Sequence, residues 1–297
     1  MTLVAPDAIL QPVVLTYLAS GRSRRKTALV KDCACQRGCA GNEANRPVGD
    51  SSNAYQGKSS MNARNSTARS VGAFFLFSNV TFILGALILV EPILSAPDYL
   101  TLVSANRTRV ILGVLLELAN GVAYLGIAVL MFAVLRRRFE SAALGYVGFR
   151  VIEFAMQALS SLGALSLVTL SEEFVGAGAA QASAFQAAGT LLLAERYWAF
   201  QMVSLTLPLG ALLFYPMLYR SKLIPRFISV WGVIGALTVL TTTMLDIFAL
   251  DVGLVIGLIL GVPMLLNELF LGVWLIVKGF SPTPALSGSA QLQGRPA

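Results

Sequence analysis

A few ionisable and amide side chains lie within long apolar stretches of this sequence, where a hydrocarbon environment makes each of them costly. Glu117 and Asn120 are three residues apart in one such stretch, and Asn267 and Glu268 are adjacent in another. A charged side chain at the centre of a bilayer costs about 2.5 kcal/mol or more, so such residues often mark ion or substrate pathways. The chemistry they predict is binding of a cation, a proton or a small polar solute.

A third apolar stretch carries four more polar residues at a helical spacing. These residues are Tyr146, Arg150, Glu153 and Gln157. Their spacing of i, i+4, i+7 and i+11 places them on one helix face. The candidate substrate- or ion-binding residues are therefore Glu117, Asn120, Tyr146, Arg150, Glu153, Gln157, Asn267 and Glu268.

The depth of two of these charges can be counted from the basic residues that end their stretches. Arg150 lies twelve residues after Arg138, and Glu268 lies ten residues before Lys278. At a helical rise of about 1.5 Å per residue, these separations are about 18 Å and about 15 Å. The counts predict that Arg150, Glu153 and Glu268 form a charge triad at one depth.

Two interpretations of these charges stay open. They could pair with one another and only fix the register of the helices, or they could line a polar cavity. The surplus of acids favours the cavity, because Glu117 is predicted to be unpaired and one carboxylate is left to titrate or to coordinate. A solute-binding or transport protein is therefore the leading hypothesis. The alternatives are a non-catalytic sensor or assembly partner and, third, an intramembrane enzyme that uses carboxylates alone; no catalytic residue is assigned.

The composition predicts the elements that position these residues. The chain is 56% hydrophobic and 12% charged, with a mean hydropathy of +0.73, whereas soluble domains have about 45–50% apolar and about 25% charged residues. Apolar runs of the length needed to cross about 30 Å of hydrocarbon recur along the chain. They predict an all-α polytopic bundle with six transmembrane helices, at residues 71–90, 110–135, 142–170, 198–219, 227–250 and 252–277.

The segments outside these runs complete the predicted organisation. Residues 1–69 form a disordered or over-extended N-terminal tail, 70–280 the transmembrane domain, and 281–297 a disordered C-terminal tail. A loop is expected at 174–193, with an interfacial helix at 184–193. A tight hairpin at Asp251 joins the last two spans. Met61, shortly before the first span, is expected to be the true start of the protein.

The distribution of basic residues predicts the topology. Cytoplasmic segments carry an excess of Lys and Arg, which places both termini inside. The predicted inner segments hold Arg64, Arg69, Arg136, Arg137, Arg138, Arg220, Lys222, Arg226, Lys278 and Arg295, and the outer loops hold Arg107, Arg109 and Arg196. The net charge of +7 thus reflects topology and lipid headgroups, and no nucleic-acid partner is expected.

Metal and cofactor chemistry has little basis in the sequence. There is no histidine, and the three cysteines, Cys33, Cys35 and Cys39, all lie in the N-terminal tail. Three thiolates without a fourth ligand make a poor zinc site. No glycine-rich nucleotide loop is present either. We therefore expect no metal and no cofactor.

Small residues and a proline mark the last predicted span. Gly253, Gly257 and Gly261 recur every four residues, a pattern that permits close approach between membrane helices. Pro263 follows, one turn before Asn267. Because a proline inside a helix frees a backbone carbonyl, we expect a binding site near this turn. The oligomeric state is not predicted.

Three segments resemble a known family. They are Leu144–Glu153 (LGYVGFRVIE), Leu218–Arg226 (LYRSKLIPR) running into Ser229–Gly232 (SVWG), and Asn267–Leu269 (NEL) continuing through Trp274–Phe280 (WLIVKGF). Together they resemble the bacterial integral-membrane family called domain of unknown function 4386, over about residues 63–280. The resemblance implies a multi-span helical domain in a bacterial inner membrane and implies nothing about substrate. Arg150, Glu153 and Glu268 lie within the matching segments, whereas Glu117 does not.

Overall fold

The computed structural model describes residues 51–177, 181–248 and 253–281. The chain divides into two compact units, Met1–Tyr55 and Gln56–Ala297. Of the first unit only residues 51–55 are described, and they are helical. The described part of the second unit consists of helices and short connections without a strand. The predicted all-α class is confirmed.

The helices are numbered in chain order. They are α1 (Ser51–Phe82), a π-helical segment (Ile83–Val90), α2 (Glu91–Leu94), α3 (Tyr99–Ala105), α4 (Arg107–Ala177), α5 (Ala182–Ser221), α6 (Arg226–Ile247) and α7 (Gly253–Val277). Five helical stretches in the described residues are long and apolar enough to cross a membrane: Arg64–Leu94, Arg107–Ala177, Ala182–Ser221, Arg226–Ile247 and Ile259–Val277. The protein is therefore a multi-pass membrane protein whose helices contact lipid.

The second and third predicted spans both fall within α4. This helix contains 71 residues, which at about 1.5 Å per residue is about three and a half times the thickness of the hydrocarbon core. At Phe139 the backbone leaves the helical region, with φ −138° and ψ 51°. The two arms on either side of Phe139 lie side by side. A hydrogen bond of 3.3 Å from Gln157 Nε2 to Glu117 Oε2 joins them.

The start of the folded region differs from the predicted tail boundary. Helix α1 begins at Ser51, and Ala68 is fully buried in an apolar cluster with Val71 and Phe75. A helix nucleated in the apolar span can extend toward its N-terminus because adding a turn costs far less than starting one. Residues 51–69 are therefore helical, and residues 1–50 lie outside the description.

The predicted loop at 174–193 is much shorter in the structure. Helix α4 continues to Ala177 and α5 begins at Ala182, so the expected interfacial helix is the first part of α5. Alanine is the best helix former, and Phe185 and Leu192 pack against a buried apolar cluster. The hairpin predicted at Asp251 lies outside the described residues.

Two apolar clusters hold the bundle together at different heights along α4. One includes Val110 and Val114 of the first arm, and the other includes Ile127 and Met131 further along the same arm. The interval between them carries Glu117, a buried acid. Along this arm, Glu117 therefore lies between two apolar clusters.

Close approach between helices occurs at glycines other than those predicted. A Cβ added to Gly72 of α1 would lie 2.6 Å from the Gly272 carbonyl oxygen of α7, so these helices touch backbone to backbone. A Cβ on Gly261 would meet nothing within 4 Å. Gly253 and Gly257 lie in α7, and the packing around them is outside what the structure describes.

Candidate functional site

A cavity of about 200 Å³ lies among five helices of the bundle. Its walls come from α1, both arms of α4, α5, α6 and α7. The lining residues are Asn79, Phe82, Asn120, Gly121, Tyr124, Arg150, Glu153, Phe154, Gln157, Phe200, Val203, Ser204, Leu207, Val239, Gly261, Met264, Leu265 and Glu268. The α7 residues Gly261, Met264 and Glu268 lie on both sides of Pro263, where a binding site was expected.

Arg150 is held on one wall by a carboxylate and two aromatic rings. Its Nη1 lies 2.8 Å from both Glu153 carboxylate oxygens, one helical turn away on the same face. The guanidinium carbon lies 4.4 Å from the ring centre of Tyr124 and 5.3 Å from that of Tyr146. Cation–π contacts of this kind gain strength when they are desolvated. The Arg150 charge is therefore balanced and fixed in position.

Glu268 has a different environment. The Tyr124 hydroxyl donates a hydrogen bond of 2.5 Å to Glu268 Oε2, while Oε1 is buried without a hydrogen-bond partner among the described residues. The ion pairs of the described residues do not include one between Arg150 and Glu268. The predicted triad is thus one ion pair plus a separate carboxylate that lines the same cavity.

The prediction that Glu117 is an unpaired acid is wrong. Arg196 Nη2 lies 2.6 Å from Glu117 Oε1, and Arg196 Nη1 donates to Glu117 Oε2 at 3.2 Å. The Arg196 side chain is only 12% exposed, although the sequence suggested an outer loop. Since α5 begins at Ala182, Arg196 lies well inside a helix and reaches across to the first arm of α4.

The cavity brings together only part of the predicted set. It collects Asn120, Arg150, Glu153, Gln157 and Glu268, which come from three separate predicted spans. The remaining three candidates do not line the cavity and instead contact neighbouring helices.

Those three have definite structural contacts. Glu117 pairs with Arg196. The Tyr146 ring stacks on Phe214 at 4.8 Å between ring centres. Asn267 Nδ2 donates to the Ile228 carbonyl at 3.0 Å, joining α7 to α6.

Unpartnered polar atoms give the cavity its chemical character. Asn120 Oδ1, Glu268 Oε1 and Arg150 Nε are buried and without hydrogen-bond partners among the described residues. Buried polar atoms normally have partners, so such atoms call for a water or a ligand. Two acceptors and one donor suit a small solute that carries an ammonium or hydroxyl group and one acceptor.

Three residues of the site were missed by the sequence reasoning. Tyr124 lies four residues after Asn120 and seven after Glu117, so helical spacing could have placed it on their face. Asn79 is a buried amide within the first apolar run. Arg196 carries no such signal, because the sequence predicts an outer loop at its position.

The described residues do not include the kind of ligand set that a metal ion needs. Among residues 51–177, 181–248 and 253–281, no three His, Cys, Asp or Glu side chains are grouped as they would be around a metal ion. Cys33, Cys35 and Cys39 lie outside the described residues.

A family model described as Domain of unknown function (DUF4386) matches residues 70–279. The match covers more than half of the chain, which therefore belongs to this family of membrane domains. No curated protein and no solved structure matches the chain.

Proposed function

We propose that this domain crosses a bacterial inner membrane six times, with both ends on the cytoplasmic side. The break at Phe139 divides α4 into two arms that are each long enough to cross. The break directly follows the basic run Arg136–Arg138, which the positive-inside rule assigns to the cytoplasm. Arg220, Lys222 and Arg226, at the junction of α5 and α6, fall on the same side in this arrangement.

The proposed activity is the binding, and by extension the transport, of a small positively charged solute in the cavity. The charge balance around Glu268 carries this proposal. Glu153 is paired with Arg150 and Glu117 with Arg196, so Glu268 is the acid of the cavity without a basic partner in an ion pair. An ionised carboxylate without compensation in the interior costs several kcal/mol. A bound cation or a proton removes that cost.

The dimensions favour a small organic cation over a bare metal ion. An apolar cavity of about 150 Å³ in another protein accommodates benzene, and this one is about 200 Å³. Tyr124, Phe82, Phe154 and Phe200 contribute aromatic rings to its walls. Aromatic faces attract organic ammonium groups, which are easier to desolvate than metal ions.

The alternative is a non-catalytic sensor or assembly partner in which the charges only fix helix packing. The two complete ion pairs, Arg150–Glu153 and Arg196–Glu117, support it. It gives no reason for the free acceptor atoms of Asn120 and Glu268. The two proposals therefore differ at Glu268.

Thermal stability of the purified protein in uncharged detergent tests the proposal. Tetramethylammonium and choline chlorides serve as probes against sodium chloride at equal ionic strength. A ligand that is present at about 100 times its Kd stabilises the folded state by about 2.7 kcal/mol, so the organic cations should raise Tm. Glu268→Gln should remove this response without preventing folding.

A matched control removes an acid outside the cavity. Glu140 is exposed, and Glu140→Gln should keep the full response. The proposal fails if Glu268→Gln responds as the wild type does. It also fails if no probe raises Tm and Glu268→Gln prevents folding, the result expected when the charge serves only helix packing.

A further inference from the structure

A second groove lies on the outside of the bundle, between α5 and α6. It has a volume of about 290 Å³ and is lined by Pro216, Tyr219, Arg220, Ser229, Val230, Val233 and Ile234. Val230 and Ile234 are 47% and 54% exposed, so the groove opens toward the lipid. It is separate from the cavity around Glu268, since the two share no lining residue.

The basic end of this groove has cations without carboxylate partners. Arg220 is the penultimate residue of α5, and Arg226 is the first residue of α6. The Arg226 guanidinium carbon lies 5.3 Å from the ring centre of Tyr219, which brings its charge to the groove. None of the ion pairs in the described residues involves Arg220, Lys222 or Arg226.

Two further features at this end suit a phosphate and its neighbouring oxygens. Ser229 is fully buried, lines the groove, and its hydroxyl has no hydrogen-bond partner among the described residues. The N-cap residue of α6 is Pro225, which makes no side-chain cap. The first-turn N–H groups of a helix attract anions when no side chain caps them.

We propose that this groove is a binding site for one anionic phospholipid. The phosphate lies between Arg220 and Arg226, the Ser229 hydroxyl donates to a glycerol or ester oxygen, and an acyl chain follows Val230, Val233 and Ile234 into the membrane. The order of polar and apolar residues along the groove matches that of a lipid from headgroup to chain. The site is independent of the cation-binding activity proposed for the cavity.

Native mass spectrometry of the full chain tests this proposal. Protein in uncharged detergent is mixed with equal amounts of phosphatidylglycerol and phosphatidylcholine that have the same acyl chains. Wild type should retain phosphatidylglycerol preferentially. Arg220→Gln with Arg226→Gln should reduce the retained ratio by about fivefold for each arginine, the effect of one basic residue near an anionic membrane surface.

A control with the same loss of charge separates a site from general attraction. Arg136 and Arg137 are exposed at the end of the first arm of α4, and changing both to glutamine should leave the ratio unchanged. An equal fall in this control, or no preference in the wild type, overturns the proposal. So does displacement of the lipid by sodium phosphate beyond that by sodium chloride at equal ionic strength, because the site would then hold free phosphate.

Filling the groove tests the chain-binding part. Val230→Trp should lower retention of both lipids, because the indole occupies the acyl path. Ile234→Trp, at a more exposed position, is the second variant if Val230→Trp does not give a monodisperse protein. Unchanged retention in a folded tryptophan variant overturns the proposed path of the chain.

Discussion

Glu117 and Glu268 are both buried acids in one bundle, yet their partners differ in kind. Glu117 receives two charge-assisted contacts from Arg196 and a further hydrogen bond from Gln157. Glu268 Oε2 accepts a hydrogen bond from the hydroxyl of Tyr124, and Oε1 lacks a partner in the described structure. The first acid is neutralised by an arginine of the protein, whereas the second lines a cavity and has no ion-pair partner among the described residues.

This contrast explains why one apolar bundle can tolerate both acids. An ion pair with full hydrogen bonding offsets the desolvation of its charges, so Glu117 can fasten α4 to α5 permanently. Glu268 has an oxygen without a hydrogen-bond partner and lies on the cavity wall, so under the proposed function its charge is available to a ligand. Four substitutions can break or sharpen the comparison.

The largest effect is expected for Arg196→Met. It leaves the Glu117 carboxylate, whose side chain is 3% exposed, without its cation. Removing one partner of a buried ion pair costs about 3–5 kcal/mol, so Tm measured by thermal size-exclusion assay should fall steeply. The double variant with Glu117→Gln should recover most of the loss. An unchanged Tm in the single variant would mean that Glu117 does not depend on Arg196.

A smaller loss is expected for Tyr124→Phe. This change removes the hydrogen bond that Tyr124 donates to Glu268 Oε2. Hydrogen bonds to charged groups contribute about 1.5–3 kcal/mol, and Tm in the absence of cation should fall accordingly. Tyr146→Phe is the matched control, because the Tyr146 hydroxyl has no partner among the described residues. If Tm falls equally in both variants, the loss comes from changed ring packing and not from the hydrogen bond to Glu268.

Gln157→Leu should have a still smaller effect. Its bond to Glu117 is long, at 3.3 Å, and Arg196 continues to neutralise the acid. A single hydrogen bond contributes about 0.5–1.5 kcal/mol. A loss as large as that of Arg196→Met, measured by the same thermal assay, would show that Gln157 contributes as much as Arg196 does and would contradict this ranking.

The smallest effect on stability is expected for Glu268→Gln without a bound cation. Glutamine keeps an acceptor for Tyr124 and removes the unpaired charge, so the free energy of unfolding should change by less than about 1 kcal/mol. Glu117→Gln strips a partly buried Arg196 of its partner and should cost about 3 kcal/mol. Parallel Tm measurements compare the two directly. An equal fall in Tm for Glu268→Gln and Glu117→Gln would contradict the proposed difference between the two acids.

Part of the site could be predicted from helical spacing and counting. The interval of three residues between Arg150 and Glu153 places both on one face, and the structure has them in contact at 2.8 Å. The depth count placed Glu268 level with them, and all three line one cavity. The first inference needs only the periodicity of one helix. The second needs only the number of residues between a charge and the basic residue that marks the membrane boundary. Both can be read from the sequence.

Contacts between helices far apart in the chain were not predictable in this way. Arg196 and Glu117 are separated by 79 residues, and nothing in either stretch states that α5 lies beside the first arm of α4. Periodicity indicates which face of a helix is polar and leaves open which helix that face meets. For the same reason Glu117 was expected to be unpaired, and Tyr124 was missed as the donor to Glu268.

The sequence by itself determined that the described chain is helical and membrane-embedded, because apolar runs of this length with so few charges can satisfy their backbone groups in lipid only as helices. Only the tertiary structure decided which buried acid is neutralised and which faces a cavity. That outcome depends on distances of a few ångströms between side chains of different helices, and electrostatic energy in an apolar interior changes steeply over such distances.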